Sequence, residues 1–103
     1  MKRPSAEEMA RMKEELYRGL AQGDIGIRQA TRRMRKILGM TQKEYAQKVA
    51  DISPRILSEF ENGSGNPTLA TLQKIAVPFG LQITFLPPES WRLLAQKDWA
   101  WRD

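Results

Sequence analysis

Residues 28 to 55 concentrate the chemistry that this chain can offer. Arg28, Arg32, Arg33, Arg35, Lys36, Lys43, Lys48 and Arg55 stand there against only Glu44 and Asp51, a local charge of +6. The rest of the chain sums to −1, so this stretch accounts for the whole +5 excess and the pI near 9.9. Such a cluster favours an anionic partner, because each Lys or Arg set against a phosphate releases a condensed counterion. A solvated basic face is the plainer account; the helix signals beside it favour nucleic acid. Other chemistries are excluded. The chain has no Cys and no His, which removes disulfides, thiol nucleophiles, the usual imidazole base and nearly every transition-metal site. Glu7-Glu8 and Glu14-Glu15 are adjacent acids that diverge on a helix and cannot share a proton. The expectation is no enzyme activity, no cofactor and no metal.

The elements that must carry these cations announce themselves by their caps. Thr41 and Glu44 have capping-box spacing, with Met40 and Tyr45 at hydrophobic-staple positions. Twelve residues on, Ser53 suits an N-cap, Pro54 suits the first turn, and Ile52 and Leu57 form a second staple. Two short helices joined by a tight turn are the skeleton of a helix-turn-helix, whose second helix can enter the DNA major groove. Ser5 and Glu8 open an earlier amphipathic helix to about Gln22, with Met9, Met12, Leu16 and Leu20 on one face and Gly23 to Gly26 breaking it. A helix from about Ile27 to Leu38 follows, ended by Gly39, with Ala30, Met34, Ile37 and Leu38 inward. After a loop at 62–67, Thr68 caps a helix bearing Leu69, Leu72, Ile75 and Ala76, which Pro78 and Gly80 end.

Leu81 to Leu86 then alternates apolar and polar residues, which predicts a strand with Leu81, Ile83 and Phe85 on one face. No other convincing strand exists to pair with it. A homodimer joined by this strand across a two-fold axis is preferred to an extended segment lying on its own domain. Glu89 to Asp103 reads as a short helix and a frayed end. Trp91, Trp99 and Trp101 all fall there, either as partner-binding anchors or as a cover for the dimer strand and a loose tail. At 103 residues the chain is expected to be one small domain with extensions: 1–26 an N-terminal helical extension, 27–80 the DNA-binding domain, 81–103 the dimerisation strand and tail. No apolar run approaches membrane length and the N-terminus lacks a signal-peptide core, so a cytoplasmic protein with no membrane partner is expected.

From about Ile27 to Leu86 the chain resembles the Xre family, the helix-turn-helix of lambda-type phage repressors. Arg35, Gly39, Thr41-Gln42, Ala46, Ile52-Ser53, Leu57-Ser58, Phe60-Glu61-Asn62-Gly63, Pro67-Thr68-Leu69 and Leu72 carry the resemblance. The subgroup it most resembles is the HipB-type antitoxins. The resemblance implies an all-α, lambda-repressor-like domain with an added N-terminal helix and a C-terminal dimerisation strand. It implies repression from a pseudo-palindromic operator, double-stranded DNA as partner, and a toxin protein as a second one. It further implies that Gln42 contacts a DNA phosphate and that Arg35 and Glu61 form a buried ion pair.

Two departures from the family pattern shift the expected contacts. Pro54 stands where a polar base-reading residue is common, which moves readout to Arg55, Ile56, Ser58 and Glu59. Arg55 could grip guanine, Ile56 touch a thymine methyl, and Glu59 accept from cytosine, repel phosphate or pair with Arg55 one turn back. The candidate DNA-contacting set is Arg32, Thr41, Gln42, Lys43, Ser53, Arg55, Ile56, Ser58, Glu59 and Asn62. The turn between the two short helices is also one residue longer than usual, with Ala50-Asp51 in place of a single Gly. Asp51 tolerates the left-handed conformation passably.

Overall fold

The computed structural model describes residues 3–95. Six helices follow the caps. The first, α1 (Ala6–Gln22), is opened by Ser5 and Glu8, each side chain closing the other's backbone N–H at 3.2 and 2.9 Å. The hydrogen bonds from Ser5 hold the Glu8 carboxyl below its ordinary pKa. Gly23 ends α1 at φ 76. The left-handed backbone is what calls for glycine at this turn; a Cβ there would meet only the movable end of the Arg92 side chain, at 2.7 Å. Helix α2 (Ile27–Leu38) ends at Gly39, also left-handed at φ 65.

Helix α3 (Gln42–Glu44) is opened by the Thr41–Glu44 box and continues as a wider π-turn, Tyr45–Ala50. This π-turn absorbs the extra residue noted between the two short helices. Asp51 then takes the left-handed conformation at φ 55, ψ 53, and both its N–H and that of Ile52 donate to the Ala46 carbonyl. The chain reverses within Asp51 to Ser53 and enters α4 (Pro54–Glu61), where the Ser53 hydroxyl accepts the Arg55 N–H. Helix α5 (Leu69–Ala76) runs from its Thr68 cap into one 3-10 turn, Val77–Phe79, carrying Pro78. Helix α6 (Glu89–Ala95) is the last described element.

The core is the meeting of the predicted apolar faces. Leu16 of α1, Ala30, Met34 and Ile37 of α2, Tyr45, Ala46 and Ala50 of the π-turn, Leu57 and Phe60 of α4, Ile75 of α5 and Phe79 beyond it form one buried cluster. Burying a side chain such as Leu16 or Leu57 contributes about 1.5–3 kcal/mol. Tyr45 is wholly buried; its hydroxyl donates to the Ile75 carbonyl at 2.9 Å, and burial pushes its pKa up to about 12. Tyr17 does the same at the surface, donating to the Phe79 carbonyl at 2.7 Å and tying α1 to the end of α5.

Residues 81–86 correct the expectation of a strand. No strand occurs among the described residues; the segment is irregular, anchored by Leu81 N–H to the Ala76 carbonyl. A strand needs a ladder partner, and no other segment among the described residues offers one. The alternation is also broken. Leu81 and Ile83 are half-buried against the helices, but Phe85 is 99% exposed, and Leu86 lines the cavity beside the segment while remaining 50% exposed. Nothing enforces a two-residue side-chain period in an unpaired segment. Trp91 on α6 is 61% exposed. Trp99 and Trp101 lie outside the described residues.

Tyr45→Phe should destabilise the domain by about 1–3 kcal/mol, because the Ile75 carbonyl loses its donor in a dry core. The phenol also gives a pH signature. Its folded pKa, about 12, lies above the ordinary 10, so its contribution is full below pH 10 and is lost as pH rises from 10 towards 12. Urea unfolding at pH 7 and at pH 11 should show a smaller pH dependence in the variant than in the parent; equal dependence would show that another group governs the alkaline limb.

Candidate nucleic-acid interface

Helix α4 has one face in the core and one in solvent, as its 3.6-residue period requires. Leu57, Phe60 and Glu61 are buried, while Arg55 and Ile56 are exposed and Ser58 and Glu59 are half-buried beside them. Asn62 is exposed at the C-terminal end, its N–H on the Ser58 carbonyl at 3.0 Å. At the N-termini, Thr41 and Ser53 are exposed caps with their hydroxyls already accepting backbone N–H groups at 3.2 Å. Thr41 closes the Glu44 N–H and leaves those of Gln42 and Lys43 at the open helix end. Hydrogen bonds from Thr41 also hold the Glu44 carboxyl below its ordinary pKa, so it stays anionic there. Lys43 is exposed on the same turn.

The placement of this face depends on Glu61. Its carboxylate is 1% exposed and takes both Arg35 Nε at 2.8 Å and Arg35 Nη2 at 2.7 Å. Gln42 Nε2 adds a third bond at 3.1 Å. The remaining Arg35 nitrogen donates to the Met40 carbonyl at 3.2 Å. One acid therefore joins α2, the start of α3 and the last turn of α4. The Gln42 side chain is held by Glu61 rather than left to swing.

Arg32, a candidate DNA contact, lies at the end of α4, where its guanidinium donates to the Glu61 backbone carbonyl while its side chain stays 45% exposed. Arg28 joins it, donating Nε to the Phe60 carbonyl at 2.9 Å with its guanidinium over the Phe60 ring at 5.2 Å. Residues 28, 32 and 35 share one face of α2 by their spacing of four and three. Two cations thus meet carbonyls at the negative dipole end of α4, and the third holds its terminal carboxylate. The spacing was visible in the sequence, but the face they serve depends on where α4 docks. The basic stretch divides accordingly. Arg28, Arg32 and Arg35 hold α4, Arg32 while still exposed to solvent; Arg33 is half-buried, and Lys36, Lys43, Lys48 and Arg55 are exposed.

On the exposed face, Arg55 Nε lies 2.8 Å from Glu59 Oε1, one turn away. The Arg55 side chain keeps 87% of its exposure, so this pair restrains the guanidinium without burying it. Water screens it, and its net contribution to stability is small. Beside it, the loop at 62–68 and Thr71 enclose a shallow cleft with Ile56 and Glu59.

Glu61→Gln should cost about 3–5 kcal/mol, because it leaves Arg35 charged and largely buried with no anion. Arg35→Lys should also destabilise, since a point charge cannot make the two-pronged contact. Chemical denaturation gives both values. A Glu61→Gln protein within 1 kcal/mol of the parent, on the order expected of a surface site, would contradict the role given to this carboxylate.

No curated protein and no solved structure matches the chain. A family model described as helix-turn-helix matches residues 32–86, more than half of the sequence, and covers the end of α2, the π-turn helix, α4, α5 and the segment after it. No helix among the described residues is long and apolar enough to cross a membrane. With its tight Asp51 turn and its core-anchored second helix, the chain belongs to the helix-turn-helix family of the Xre and lambda-repressor type.

Proposed function

We propose that this protein is a sequence-specific DNA-binding repressor that acts as a homodimer on a pseudo-palindromic operator. The observation that carries this reading is the exposed edge of α4. Arg55, Ile56, Ser58 and Glu59 stand on a helix whose other face is buried and whose end is held by Glu61, Arg28, Arg32 and Arg35. Base readout needs side chains held in register on a rigid element. Arg55 would take guanine O6 and N7, Ile56 a thymine methyl, and Glu59 a cytosine amine. Gln42 and Lys43, with the open N–H groups of α3, would take phosphate. Occupying the operator would exclude the transcription machinery from it.

Two copies would meet along residues 81–86, which sets their α4 helices about 34 Å apart, one DNA turn. The biological setting we favour is a toxin–antitoxin operon, with the cytoplasm as its compartment. The resemblance to HipB-type antitoxins supports that setting, as do the exposed Leu86, Trp91 and Leu93 that a protein partner could cover. A stand-alone regulator of phage or mobile-element type is the alternative. The Arg55–Glu59 pair favours one further reading, a protein-interaction module that no longer binds DNA, because the acid partly neutralises the reading face.

Mobility shifts on operator fragments at several salt concentrations separate these readings. If Lys43, Lys36 and their dimer mates neutralise phosphates, log K should fall with log salt at about −0.9 per contact; a flat response would favour the interaction module. Arg55→Ala should relax base preference at one position of each half-site and cost about 1–3 kcal/mol, whereas Lys43→Ala should weaken all sequences alike. Competition against a randomised operator library reads the difference, and equal losses for both variants would remove Arg55 from readout.

A further inference from the structure

We propose that the apolar cavity beside residues 81–86 is the seat of Phe85 from a second copy of this chain. The proposal rests on the homodimer reading above and specifies its contact. The cavity, about 270 Å³, lies between the α1–α2 turn, α5 and the extended segment, with Leu20, Ile25, Met34, Leu72, Ile83 and Leu86 among its walls. Phe85 projects from that same segment and is 99% exposed. The knob and the wall of the hole are therefore two sides of one stretch of chain. That is the arrangement a two-fold axis needs, since each copy must give what it receives.

The sizes agree. A dry cavity of about 150 Å³ lined by Leu, Ile and Phe is enough for benzene, so this one takes a phenyl ring and its methylene. The backbone points the same way. Between the Leu81 N–H bond to Ala76 and the Trp91 N–H bond to Pro88, no backbone–backbone hydrogen bond is made by residues 82–87 within the described residues. A second copy laid alongside would supply partners for those groups while carrying its ring across. The segment is positioned for this from both ends. Leu81 is tied to α5, and Arg92 of α6 donates to the carbonyls of Pro87 and Gln22, the latter beside the turn that rims the cavity. The unpaired segment and the ring that left the inward face have one cause: the pairing surface is on another molecule.

The absence of Cys from the chain makes the test direct. One preparation carries Phe85→Cys, another carries Ile25→Cys with a mass tag, and the two are mixed at micromolar concentration under mild oxidation. A mixed disulfide between the two chains is the expected product. In parallel, Phe85→Ala should weaken dimerisation at least about 100-fold by sedimentation, because two rings leave two cavities. Circular dichroism of the two Phe85 variants should match the parent, since residue 85 packs on nothing in the single chain. A dimer that persists with Phe85→Ala and gives no mixed disulfide overturns the seat but leaves the homodimer standing. Disulfides only between two Phe85→Cys chains mean that the rings meet each other on the axis, which also overturns it. A parent protein that stays monomeric at high micromolar concentration overturns the homodimer itself.

Discussion

The Glu61 carboxylate is the constraint on which the arrangement of the helices depends. An anion this deeply buried is unfavourable unless its lone pairs are filled, and here they are filled by groups from two other helices. The requirement works in reverse as well. Arg35 and Gln42 have one geometry in which both reach Glu61, so the acid fixes how α2, α3 and the end of α4 sit together. An apolar residue of similar size could stabilise the core as much, but it would accept many packings. A bidentate arginine accepts one.

Around that pair the charge of the domain is partitioned. A run of arginines on α2 looks like an electrostatic surface until the C-terminus of α4 is placed beside it. Arg28 and Arg32 then become caps for carbonyls that the helix cannot satisfy itself. The exposed cations of the basic stretch with no part in that capping are Lys36, Lys43, Lys48 and Arg55, of which Arg55 stands on the outer edge of α4. Arg55 is checked in turn by Glu59. Such a balance suits selective contact with a base better than indiscriminate attraction to phosphate, because a guanidinium already holding an acid gains least from a site that offers only charge.

The turn between α3 and α4 shows where the longer connection is taken up. The insertion is taken up by widening Tyr45 to Ala50 into a π-turn, and Asp51 bears the left-handed residue that the reversal needs. The Ala46 carbonyl closes both following N–H groups, so the broken helix end is satisfied. At the other end of the chain the balance is different. Phe85, Leu86, Trp91 and Leu93 leave an apolar arm in water that the small core does not cover.

What the sequence determined was everything local. The capping boxes at Ser5 and Thr41, the Ser53-Pro54 start and the glycines at 23 and 39 set helix ends, because a cap is a contact between residues three or four apart. The inward faces of α1, α2 and α4 were legible for the same reason, since periodicity reports burial. The tertiary structure alone decided the rest. That Arg32 caps a carbonyl of α4 depends on an element 29 residues away in sequence. Whether 81–86 is a strand depends on a ladder partner, which no other described segment supplies, and Phe85 leaves its face because no ladder holds it there. The π-turn was also out of reach, because a helix with one residue too many can lengthen its loop or widen its last turns, and only the packing of Tyr45, Ala46 and Ala50 against α4 and α5 chooses between them.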